Sequence, residues 1–107
     1  VINTHAKGVR FVRKRRKFWE SQGYLVYACP MTRGVKDMFG LFDLLAVSSK
    51  HPDMYFEQVK SYLLYGKKKA ACIQRLQNFK LKYLNTACVV SLAMWDKKER
   101  EWVVYGY

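Results

Sequence analysis

Acidic residues are scarce in this 107-residue chain: eight Asp and Glu stand against twenty Lys and Arg, a formal charge of +12 at neutral pH. A folded domain this basic has polyanions as its natural partners, nucleic acid first among them. Charge alone does not separate a protein that cuts nucleic acid from a ribosomal or other structural protein that holds it. Histidine is limited to His5 and His51, and the three cysteines, Cys29, Cys72 and Cys88, are widely spaced in apolar stretches. That pattern argues against a zinc site or a disulfide framework and predicts buried, reduced thiols in a reducing compartment. No apolar run approaches the roughly 20 residues of a membrane span, and no leader-like segment or internal repeat is visible. The expectation is a soluble intracellular protein, cytoplasmic or nucleoid-associated, with a viral origin equally compatible.

Half of the residues are hydrophobic, enough for one packed domain over 1–107 and not for two. Periodicity and punctuation divide the chain into helix, three strands, helix, two strands. The first helix spans Thr4 to Gln22, capped by Asn3 or Thr4 and stopped by Gly23, with Phe11, Val12, Phe18 and Trp19 as its apolar stripe. Arg10, Arg13, Lys14, Arg16 and Lys17 cover its other faces. Arg15 alone falls on the stripe, so it either reaches along the sheet to a substrate phosphate or packs its stem and sends its head to water.

Tyr24 to Pro30 reads as a strand, and Met31 to Gly40 as a loop whose Arg33 and Lys36 are either phosphate contacts or ordinary solvated cations. Phe39 to Tyr65 reads as two strands joined by a turn at Ser48 to Asp53. A second helix begins at Lys67-Lys68-Lys69 and runs to about Asn85, with Ile73, Leu76, Phe79 and Tyr83 buried. Three lysines in a first turn oppose the helix dipole. A bound phosphate would relieve the conflict; simple solvation would tolerate it. TACVVSLAMW over Thr86 to Trp95 suits a strand buried on both faces, Asp96 to Arg100 a turn, and Glu101 to Tyr107 a last strand.

Centring the hairpin near Lys50 and His51 sets Asp43 opposite Gln58, and alternation then puts Asp43, Gln58 and Lys60 on one face with Glu57 on the other. An acid, a second oxygen donor and a lysine on one face are the parts of a metal-dependent nuclease centre. Asp43, the Gln58 side-chain oxygen and the Val59 backbone carbonyl could hold Mg2+ or Mn2+, and Lys60 could orient water or offset charge on a phosphate. The same residues are also compatible with an ordinary hairpin bearing partly exposed polar groups.

The segment Gly40 to Lys60, Gly-x-x-Asp followed after fourteen residues by Gln-x-Lys, resembles the core of the PD-(D/E)XK nuclease superfamily. With Lys7-Gly8 opening the first helix, Gly23-Tyr24 opening a strand and Asp43-Leu44-Leu45-Ala46, the chain looks most like the archaeal-type Holliday junction resolvases. The resemblance implies a restriction-endonuclease-like α/β core of order αβββαββ, a mixed central sheet flanked by helices. It further implies a magnesium-dependent endonuclease of DNA recombination or repair, acting on branched or junction DNA as a homodimer. Asp43, Gln58 and Lys60 would be catalytic, with Arg10, Arg13, Arg15, Arg33, Lys36, Lys67, Lys68 and Lys69 on DNA. Two positions depart from the pattern: Gln58 stands where such resolvases carry Glu, and Val12 where they carry a helix glutamate, a loss that Asp37 could make good. A repair or restriction-type nuclease of the same superfamily, or a DNA-binding module without catalysis, fits the same residues.

Overall fold

The computed structural model describes residues 4–29 and 38–107. Among the described residues seven elements follow one another: α1 (Thr4–Ser21), β1 (Leu25–Ala28), β2 (Leu44–Ser48), β3 (His51–Lys60), α2 (Gly66–Tyr83), β4 (Cys88–Asp96) and β5 (Glu101–Gly106). The order is the αβββαββ read from the sequence. The strands form one mixed sheet, β1-β2-β3-β4-β5, in which β3 and β4 are parallel and every other neighbour is antiparallel. A parallel neighbour requires a long crossover, and α2 supplies it. No described helix is long and apolar enough to cross a membrane.

Alternation along the central strands feeds two separate cores. On one face α1 buries Phe11, Val12 and Trp19 against Val26, Leu44, Ala46 and Val59. On the other, Cys72 and Leu76 of α2 pack with Leu41, Phe42, Phe56, Val90, Leu92 and Met94. β4 contributes to both, with Cys88 to Met94 almost wholly buried, as its uninterrupted apolar sequence requires. All three cysteines are buried, as their apolar settings predict.

Several details differ from the sequence reading, among them the strand expected from Phe39, which begins only at Leu44. Phe18 leaves the α1 stripe at 39% exposure, and its place between Phe11 and Trp19 is taken by Arg15, which is buried. On α2 the buried residues are Cys72 and Leu76, with Tyr83 exposed, because α2 turns Cys72 rather than Tyr83 to the sheet. The β2–β3 turn is tighter than Ser48 to Asp53: β3 begins at His51, and an irregularity between Ala46 and Ser48 absorbs the difference. Arg33, Lys36, Asp37 and the Asn3 or Thr4 cap fall outside the described residues and side chains.

Candidate functional site

The hairpin register carries the site. Leu44 pairs with Glu57 and Leu45 with Phe56, the same register as the Asp43–Gln58 pairing expected from the sequence. Asp43 lies just before β2, after a tight turn in which Phe39 and Gly40 both have left-handed φ, 56° and 70°. Its backbone is clamped on both sides: its N–H donates to Glu57 O at 2.8 Å, and its carbonyl accepts from Cys29 N–H at 2.9 Å. The carboxylate then turns to β3, where Oδ2 accepts the Val59 N–H at 2.7 Å. A residue of an extended strand sends its N–H and C=O towards the same neighbour, so the Val59 carbonyl faces the Asp43 side as well.

Gln58 and Lys60 project towards α2. The Cys72 thiol donates to Gln58 Oε1 at 2.9 Å, and Gln58 is 8% exposed. Burial pushes the Cys72 thiol up from its ordinary value of 9.0, while Lys60 and Arg75 pull it the other way. Only the protonated thiol can donate this bond. A group whose pKa is higher folded than unfolded stabilises the fold below its unfolded pKa and ceases to do so as pH rises through the folded one. Thermal stability should therefore fall as pH is raised above the thiol's ordinary range, and Cys72→Ala should flatten the early part of that fall. Tyr55, raised by burial and then by Tyr24 and Asp53, adds a later decline of the same sign. Parallel melting curves for wild type and Cys72→Ala across the alkaline range would rule this out.

Divalent cations of the magnesium class take oxygen donors and retain water readily. Asp43 offers a carboxylate, Val59 a carbonyl, and Gln58 an amide oxygen with a second lone pair beyond the one given to Cys72. A set with one formal charge fits an ion that keeps most of its waters. Among the described residues, no three His, Cys, Asp or Glu side chains gather as a metal cluster. Val12, at the position where the resemblance implies a carboxylate, is 6% exposed in the α1 core.

Glu57 faces away from Gln58 and Lys60, as alternation requires, and there it closes a buried polar cluster. Arg15 Nε and Trp19 Nε1 donate to Oε1, the latter at 3.0 Å; Arg15 Nη2 and Ser91 Oγ donate to Oε2 at 3.1 and 2.8 Å. Glu57 is 0% and Arg15 3% exposed. Arg15 thus takes neither path left open by the sequence: it is committed to a carboxylate inside the fold, since a guanidinium on the apolar stripe of α1 meets Glu57 of β3. The hint was present in the sequence as a lone cation and a lone anion, each on an apolar face.

The remaining cations divide. Arg10, Arg13, Lys67 and Lys68 are exposed. Lys69 reaches Tyr105, its Nζ 3.4 Å from the hydroxyl. A cleft of about 540 Å³, between α1 and the β4–β5 turn, is lined by Lys7, Arg10, Lys14, Lys97 and Arg100 around Phe11 and Trp95, and reaches Ser61. Nothing local in the sequence marks Lys7, Lys97, Arg100 and Trp95 as one binding surface, because residues so far apart in the chain give no local pattern. The chain matches no protein-family model and no curated protein sequence.

Proposed function

We propose that the protein is a metal-dependent DNA endonuclease that acts on branched DNA, with Holliday junctions as the leading substrate. The observation that carries this reading is the bond from Val59 N–H to Asp43 Oδ2. It holds a partly exposed carboxylate beside the Gln58-Val59-Lys60 run, on a fold whose element order is the one the nuclease resemblance implies. A bound Mg2+ or Mn2+ would polarise the scissile phosphate and acidify a water. Asp43, Gln58 Oε1 and the Val59 carbonyl would hold the ion. Lys60 would orient the water as it attacks phosphorus and offset the charge that grows as the P–O bond to the leaving strand breaks. Exposed Arg10, Arg13, Lys67 and Lys68 would hold phosphates without reading bases. Cutting a four-way junction symmetrically takes two such centres, hence a homodimer.

The test is cleavage of an end-labelled four-way junction beside a linear duplex of the same sequence, in magnesium, manganese and chelator. The expected result is paired nicks in the junction that need metal. A linear duplex cut equally well would move the protein to a repair or restriction-type activity.

A second reading has its own support. Gln58 is neutral and engaged by Cys72, Glu57 is sequestered on the opposite face, and Val12 is packed in the core. These three observations suit a DNA-holding module without catalysis. It would bind junctions with a steep salt dependence in metal and chelator alike, and yield no product.

A further inference from the structure

The basic cleft on the α1 face of the sheet has an aromatic floor, and phosphate binding alone gives no reason for one. Trp95 is only partly buried, packed on Phe11 at 6.0 Å and edge-on to Trp102 at 5.3 Å between centroids. Lys14 Nζ covers its ring, 3.4 Å from the centroid. Arg10, Lys97 and Arg100 share the lining, and no carboxylate is among the residues that form it. The nearby Asp96 carboxylate is occupied in the turn, accepting the Lys98 and Glu99 amides at 3.0 and 3.1 Å.

We propose that this cleft receives one unpaired nucleotide of a DNA strand, its base lying on Trp95 in the place held by Lys14 Nζ. A base stacked on indole replaces an exposed ammonium–ring contact with a larger one. The displaced ammonium loses little, because the phosphate that arrives with the base gives it a stronger partner. Arg10, Lys97 and Arg100 surround that phosphate. A cleft of about 540 Å³ is of the size that ligand sites have, roughly 300–1,000 Å³. Duplex DNA keeps its base faces stacked inside and would leave Trp95 idle, so the ring selects for strand that is unpaired, as at a branch point. The assignment to strand at a branch point rests on the nuclease reading; the binding chemistry does not.

The test is fluorescence anisotropy, in chelator and at fixed salt, with a labelled oligodeoxythymidylate of about a dozen nucleotides and an abasic deoxyribose-phosphate chain of equal length. Wild type should bind the base-bearing strand about ten-fold more tightly. Trp95→Leu should bring the two strands to parity, and Trp95→Phe should keep most of the difference. Lys14→Met should lower the salt slope by about one ion while leaving the base preference in place. Equal affinity of wild type for the two strands overturns the proposal without recourse to any variant, and so does a preference that survives in folded Trp95→Leu. Base preference without junction cleavage in any metal would remove the nuclease reading and leave the cleft standing; cleavage without base preference would do the reverse.

Discussion

Glu57→Ala should lower the unfolding free energy by about 3–5 kcal/mol, the cost of stranding one member of a buried ion pair. The carboxylate accepts from Arg15, Trp19 and Ser91, and both charged partners are almost without solvent contact. Removing it leaves a guanidinium, an indole N–H and a hydroxyl without their acceptor. A small domain has about 5–15 kcal/mol of stability in total, so the variant should be marginal at physiological temperature. Replacing both charges, Arg15→Met with Glu57→Leu, should cost far less, because no buried charge then lacks a partner. Urea unfolding of the wild type, both singles and the double closes the cycle. A Glu57→Ala midpoint within about 1 kcal/mol of wild type would mean that water reaches the pair. The position also misleads as an activity probe. Loss of cutting in Glu57→Ala would report the fold, whereas the site itself is questioned through Asp43, Gln58 and Lys60.

Asp43→Asn should reduce junction cleavage by about 100- to 1,000-fold or more. The asparagine oxygen can still accept from Val59 N–H, so the position of the loop is retained while the charge that would hold a cation is lost. Junction affinity in chelator should stay level or rise, because a negative charge has gone from a surface that meets phosphates. Asp43→Ala is the contrasting change: it removes the acceptor as well and should cost about 1–3 kcal/mol of stability. Single-turnover cleavage and gel-shift titrations on the same preparations separate the effects. An Asn variant that cuts within a few-fold of wild type would end the proposal that Asp43 holds the metal.

The parts of this architecture that were legible in the sequence are those written in local pattern. Gly23 and the apolar stripe mark α1, which ends at Ser21; TACVVSLAMW marks a strand buried on both sides; and the centre of the hairpin yields the Leu44–Glu57 register to the residue. The irregularity near Val47 is invisible to that reasoning, because a tight turn and a looser one can feed the same central pairing. The partner of Arg15 is hidden for a different reason. Its acceptor is 42 residues away, and nothing in the spacing of a helix says what the facing strand will offer. The aromatic cleft belongs to the same class, since Lys14 meets Trp95 only after β4 has been laid beside β3.

The single parallel seam in the sheet has a kinetic consequence. The β2–β3 and β4–β5 hairpins can each close over a short loop, on a scale of microseconds. Joining them at β3–β4 requires α2 to be spanned first, which costs more chain entropy. Ser91, which completes the set of donors to Glu57, lies across that seam. The polar cluster is therefore sealed only when the two halves of the sheet meet, and until then Arg15 and Glu57 can stay hydrated. Substitutions there are expected to act mainly by quickening unfolding, with the rate of folding little changed, so that the buried pair governs the lifetime of the native state more than the speed of reaching it.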